Sequence, residues 1–247
     1  MDRLIYIAMM GAQQALAQQS VTAHNLANAG TTGYKAETTA FRVAPVVGPG
    51  MPTRAYAVET TTGADFTPAA IQKTGRDLDV AIDGDGFLAV QGKDGSEAYT
   101  RNGSLAIDAD GQLQTRTGLL IMGDGGPITI PPDSKLAIGK DGTISATTGG
   151  QSAANVAVLG KLKLVNPPTT DLARGADGLY RMRNGSEADA DPAVTLAPGA
   201  LEDSNVNSVG AMIDMISIAR QFDMQMKLLQ NAEQNAQRAT TLLAAGP

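Results

Sequence analysis

The chain has 247 residues, with 19 basic and 25 acidic side chains, one histidine, no cysteine and a net charge of −6. That balance argues against a basic nucleic-acid binder, and it rules out disulfides, thiolate metal sites, a cysteine nucleophile and a multi-histidine zinc site. Hydrophobic residues, at 43%, suffice for a core, while charged residues, at 18%, fall below the roughly 25% of ordinary domains.

The opening MDRLIYIAMM lacks the basic start, unbroken apolar run and cleavage site of a secretory signal. Its apolar stretch is far short of the roughly 20 residues that span a bilayer. Neither a cleaved signal nor membrane insertion is expected. Residues 1–30 read as an N-terminal helix. Ile5, Met9, Ala12, Leu16, Gln19, Ala23 and Leu26 follow at alternating steps of four and three, the spacing of a coiled-coil seam. Gly30 supplies a left-handed stop near Asn28.

Residues 31–74 carry little periodicity and read as an extended connector with one or two short strands. GTTGYK is a turn within it and VVGPGMP a loop. Residues 75–200 change rhythm. Short apolar runs at 78–82, 86–90, 97–100, 104–108, 118–122, 127–130, 143–147, 156–165, 178–182 and 193–196 alternate with Asp-Gly and Asn-Gly pairs. Such pairs suit tight hairpins because both residues tolerate positive φ, so this region predicts an all-β domain of short antiparallel strands.

Residues 201–247 return to helical spacing. Met212, Met215, Ala219, Phe222, Met226, Leu229, Glu233, Ala236, Thr240 and Leu243 form one stripe, with Val209, Ile213 and Ile216 beside it. Asn207 or Ser208 can cap the start. A helix over 208–244 is about 55 Å long at 1.5 Å per residue, too long for a domain of about 15 Å radius to cover. The predicted fold class is therefore α+β and multidomain, with N- and C-terminal helices forming a coiled-coil-like helical domain and an all-β central domain of short antiparallel strands.

Charge placement points the same way. Segments 1–30 and 206–247 each sum to zero, so the −6 lies between them. Where a solvent-facing helix carries charges, these carry Gln13, Gln14, Gln18, Gln221, Gln225, Gln230, Gln234 and Gln237. Uncharged amides are far cheaper to bury than charges, so both helices are expected to pack on several sides; the plainer alternative is one antiparallel two-helix stalk within the monomer. The ten methionines, six of them at 9–10 and 212–226, suit contacts that differ between non-identical neighbours.

Catalytic and ligand chemistry finds little footing. No window supplies the ligand spacing of a calcium loop, and the Asp-Gly clusters are explained as turns. His24 has neither partner nor pocket in its sequence neighbourhood. Nucleophile elbow, Walker loop and dinucleotide fingerprint are all absent. No metal, cofactor or enzymatic activity is expected.

Three blocks carry a family resemblance. NLANAGTTGYK (25–35) resembles the N-terminal signature of the bacterial flagellar rod and hook family. LEDSNVNSVGAMIDMISIARQFDMQMKLLQ (201–230) resembles its C-terminal signature. GRDLDVAIDGDGFLAV with YTRNGSLAIDADGQLQTRTGLLIMG resembles its central β domain. Within the family, the opening MDRLIYIAM, the small β insert and the lack of tryptophan resemble the proximal rod subunit more than a distal rod or hook-type one. The resemblance implies a structural subunit whose terminal helices pair into an inner tube with β domains outside. It also implies export through the flagellar type III apparatus without a cleaved signal, residence in the basal-body rod, torque transmission, and copies of itself and other rod subunits as partners. On that model Asn25, Leu26, Asn28, Gly33 and Tyr34 turn the chain out of the first helix, and Leu201, Ser204, Asn205 and Val206 return it to the second. The assembly interface would comprise Ile5, Met9, Ala12, Leu16, Leu26, Val209, Met212, Met215, Ile216, Ala219, Phe222, Met226, Leu229, Ala236 and Leu243. The rival reading from another class is a carbohydrate-binding β domain on a helical oligomerisation stalk.

Overall fold

A computed structural model of the chain describes residues 2–45, 55–132, 134–148 and 156–244. In chain order the elements are α1 (Asp2–Ala27), β1 (Glu37–Pro45), β2 (Ala55–Ala64), β3 (Ile71–Lys73), β4 (Val80–Asp83), β5 (Phe87–Gln91), β6 (Glu97–Thr100), β7 (Leu105–Ile107), β8 (Leu113–Thr115), β9 (Met122–Gly123), β10 (Gly126–Pro127), β11 (Ser134–Ile138), β12 (Thr143–Thr148), β13 (Val156–Lys161), β14 (Leu164–Val165), β15 (Leu172–Arg174), β16 (Tyr180–Met182), β17 (Thr195–Pro198), β18 (Ala200–Glu202) and α2 (Ser208–Ala244). They fall into two units. One holds residues 1–29, 37–65 and 206–247; the other holds 30–36 and 66–205.

In the helical unit, α1 and α2 pack antiparallel. Gly11 lies against Gln225, while Gln18 and Thr22 share a groove with Asp214, Ser217 and Ile218. The inward residues of α1 are Ile5, Ala8, Ala12, Ala15, Gln19, Thr22 and Leu26, and those of α2 are Ala211, Met215, Ile218, Phe222, Gln225, Leu229 and Ala232. Both sets keep the alternation of three and four. Each nevertheless departs from the predicted stripe at every second position, by one residue: Ala8 and Ala15 are inside instead of Met9 and Leu16, and Ala211 and Ala232 instead of Met212 and Glu233. Alanines win the seam because two helix backbones approach closely only where side chains are small. Gly11 shows how close: a Cβ there would sit 2.9 Å from the Gln225 carboxamide carbon.

The helix ends follow from polar side chains. Asn207 caps α2, its Oδ1 accepting the Gly210 N–H at 3.0 Å. At the end of α1, Asn28 donates its side-chain N–H to the His24 carbonyl at 2.9 Å. Gly30 is not the left-handed stop; the positive φ occurs at Gly33. The predicted connector contains a long antiparallel hairpin, β1 with β2, whose register shifts between Ala40 and Phe41. The expected one or two short strands are thus a hairpin of nine and ten residues, longer than its weak hydrophobic periodicity suggested. The predicted VVGPGMP loop lies outside the described residues.

Every described strand pair of the β unit is antiparallel. The largest sheet runs β14-β5-β6-β16-β15, and a second runs β11-β12-β13. Both contribute to one core in which Val80, Leu88, Val90, Leu105, Ile121, Ile144 and Leu162 are almost fully buried. The predicted 156–165 strand divides in two. β13 pairs with β12 and β14 with β5, so one apolar run serves two sheets, a common way to turn a sheet corner.

Three hairpins use the same turn. At 92–96, 139–143 and 175–179 the sequence Gly-x-Asp-Gly-x closes with the N–H of the first glycine donating to the carbonyl of the fifth residue. The Asp side chain accepts the fifth residue's N–H each time, and Gly95, Gly142 and Gly178 take φ near +80°. This is the three-residue hairpin loop with a left-handed closing position. Gly103 has a different role. Its φ is ordinary, and a Cβ there would meet the Val80 carbonyl oxygen at 1.7 Å. Gly103→Ala should therefore destabilise the β unit by about 3 kcal/mol or more through overpacking. Gly125→Ala, where a Cβ meets nothing within 4 Å, should cost less than about 1 kcal/mol. Equilibrium urea unfolding of the two variants checks this contrast.

Candidate assembly interface

With the alanine seam turned inward, α1 presents one continuous outward stripe: Tyr6, Met9, Gln13, Leu16, Ser20, Ala23 and Ala27. These too alternate by three and four, and none is charged. Leu16 is 51% exposed. On α2 the first turns expose Val209, Met212, Ile213 and Ile216, the last two 61% and 56% exposed, and further along Met224, Met226 and Leu228 face outward. Of the predicted interface residues, Met9, Leu16, Val209, Met212, Ile216 and Met226 are thus exposed. Ala12 is buried in the helix pair, and Ile5, Leu26, Met215, Ala219, Phe222 and Leu229 are half-buried there. The side chains of Ala236 and Leu243 lie outside the described residues. Gln14, Gln18, Gln221 and Gln225 line a groove of about 330 Å³ closed by Phe41 and Ala55 of the hairpin. Gln13, Gln230, Gln234 and Gln237 remain outside.

The motif residues tie the roots of these helices. Asn25 makes a two-way bond with the backbone of Glu37, donating to its carbonyl at 2.9 Å and accepting its N–H at 2.8 Å. His24 Nδ1 lies 3.1 Å from the Glu37 carboxylate. In the β unit, Gly33 takes φ +67°, and a Cβ there would fall 2.4 Å from the Arg101 carbonyl. Tyr34 is buried beneath the Arg174 guanidinium, 4.7 Å from its ring centre. Asn205 accepts the Ala36 N–H at 2.7 Å and donates its own N–H to the Tyr34 carbonyl, joining the two signature segments within the unit. Leu201, Ser204 and Val206 are half-buried.

Sequence reasoning missed a buried charge cluster. Lys35 and Glu202 are each 1% exposed and Arg101 is 3% exposed. Glu202 Oε1 receives Lys35 Nζ at 2.8 Å, and its Oε2 receives Arg101 Nε at 2.5 Å. The rest of the guanidinium donates to the carbonyls of Gly86 and Gly84 at 3.0 and 2.8 Å. Each charge stands inside one of the three motif blocks, GYK, YTRNG and LED, and that shared placement was the available signal. Arg101 gives no local signal because its partner lies 101 residues away.

Burial works against the charge of Glu202, but the Ala69 N–H, Lys35 and Arg101 outweigh it and hold the carboxyl below its ordinary value. Its stabilising contribution is therefore complete above the unfolded glutamate value of about 4.3 and is lost as pH falls through the lower folded value. The melting temperature of the wild type should fall more steeply below about pH 4 than that of Glu202→Gln. Parallel acid profiles would contradict this role.

Comparison with known proteins agrees along the whole chain. The family model described as "Flagella basal body rod protein" matches residues 5–35, "Flagellar hook protein FlgE/F/G D1 domain" matches 81–146, and "Flagellar basal body rod FlgEFG protein C-terminal" matches 197–242. The chain is 48% identical over 250 residues to the flagellar basal-body rod protein FlgF of Escherichia coli (strain K12), covering 99% of each. It is 46% identical, with the same coverage, to FlgF of Salmonella typhimurium. Against FlgG of Bacillus subtilis the identity is 28%, over 98% of this chain and 99% of the relative. The chain belongs to the flagellar basal-body rod family.

Proposed function

We propose that this chain is a structural, non-enzymatic subunit of the flagellar basal-body rod, placed in the proximal rod. Its terminal helices pair in coiled-coil fashion and pack among copies of the chain and other rod subunits, forming a helical tube that carries torque. It reaches that place through the flagellar type III export apparatus, without a cleaved signal. The observation that carries this reading is the uncharged outward stripe on α1 together with the exposed apolar start of α2. Burying each large aliphatic residue is worth roughly 1.5–3 kcal/mol, and a contact repeated between identical subunits propagates as a helix when it does not close into a ring. Higher identity to FlgF than to FlgG supports an FlgF-like subunit over an FlgG-like one. Among the described residues, no helix is long and apolar enough to cross a membrane.

The exposed and inward positions separate assembly from folding. Ile213→Lys with Ile216→Lys should leave the monomer's melting temperature within about 3 °C of wild type yet abolish incorporation into purified basal bodies and swimming. Phe222→Lys, which strikes the seam between the helices, should lower helical content as well. Normal incorporation of the double lysine variant would sink the assignment of this face.

A further inference from the structure

The β unit holds two stretches of the chain, 30–36 and 66–205, and the first stretch and both ends of the second converge on two side chains. Glu202 takes Lys35 Nζ and the Ala69 N–H on one oxygen and Arg101 on the other. Its own carbonyl accepts the Gly33 N–H at 2.8 Å. Asn205 repeats the pattern, accepting from Ala36, donating through Nδ2 to the Thr67 carbonyl at 3.3 Å and donating its backbone N–H to Tyr34. Lys35 also donates to the Thr67 carbonyl at 2.7 Å. The β3–β18 ladder, pairing Ile71 with Glu202 and Lys73 with Ala200, completes the junction.

The charge order of this junction matters. Two cations sit on opposite oxygens of one buried carboxylate, in surroundings where like charges repel strongly. Segment 33–35 packs directly on the backbone of Arg101, as the Gly33 contact shows. When Lys35 settles there without Glu202, two positive groups meet across one dry pocket. When Glu202 settles there without Lys35, the Thr67 carbonyl loses its ammonium donor and one carboxylate oxygen loses a charged partner. Neither terminal segment gains its full bonding from docking alone.

We infer that Glu202 is a coincidence latch, which lets the N-terminal signature segment 33–36 and the C-terminal segment 200–205 dock on the β unit only together, and releases them together. The latch stands on contacts within the β unit and does not rest on the rod assignment.

Native-state hydrogen exchange on the full chain tests it, because the amides of Gly33, Ala69 and Asn205 each bond across the latch from a different segment. All three should exchange through one opening, with constants within threefold of one another and the same denaturant slope. They should open at least tenfold more readily than the core amides of Leu113 and Ile121. Separate constants for the three, or exchange only with the whole unit, would overturn the latch. Glu202→Gln should speed all three at least tenfold. Adding Lys35→Met to Glu202→Gln should slow Gly33 and Asn205 again severalfold, because the repelling pair is gone. Additive damage in the double variant would show that packing alone, and no charge coincidence, holds the junction.

Discussion

Both helices are apolar on more than one side: α1 keeps an uncharged outward stripe and α2 an exposed apolar start after the seam between them has formed. The fully buried positions of the intrachain seam are small: Ala8, Ala12 and Ala15 against Ala211 and Ala232. What remains outside is the large side, with Tyr6, Met9 and Leu16 on α1 and Val209, Met212, Ile213 and Ile216 on α2. This division of labour is physically economical. Small residues bring the two helices of one chain close, whereas long, adaptable side chains such as Met suit neighbours whose surfaces differ, as the proposed assembly requires. The amide-rich flanks add groups that can be buried with hydrogen-bond partners at far lower cost than charges.

The β unit holds its own terminal segments, 30–36 and 200–205, at one buried junction. A buried acid shared by two buried bases is a poor source of net stability, since desolvation consumes most of the attraction, but losing one partner is costly. Such a cluster fixes which segments meet. Here it fixes the segments that lead into both helices, and it does so with residues drawn from all three blocks that the family shares. Tyr34 beneath Arg174 and Asn205 between Ala36 and Thr67 extend the same junction with a stacked cation and neutral hydrogen bonds.

Much of this was legible from residue patterns, for definable reasons. Helix existence followed from the three-and-four alternation and from Asn207 as a cap. The facing side did not, because Met9 and Leu16 are more hydrophobic than Ala8 and Ala15, and a stripe chosen by hydrophobicity selects the side that the helix pair leaves exposed. The Gly-x-Asp-Gly turns were legible because Asp and Gly carry their conformational preferences locally. Gly103 belonged to the same pattern yet owes its identity to the Val80 carbonyl, a tertiary contact invisible in an Asn-Gly pair. The β1–β2 hairpin was obscured by its weak alternation. The Lys35–Glu202–Arg101 cluster was obscured because its members are separated by 66 residues or more, and nothing local announces a buried charge.

The most direct measurement uses the absence of native cysteine. Ile216→Cys places a single thiol on the outward face of α2, and its reaction with a water-soluble maleimide can be followed in the purified monomer and in intact basal bodies. Rapid labelling of the monomer with at least tenfold protection in basal bodies is the result expected if this face is buried between subunits. Equal labelling of the two, in basal bodies that contain the variant chain at normal levels, would contradict it.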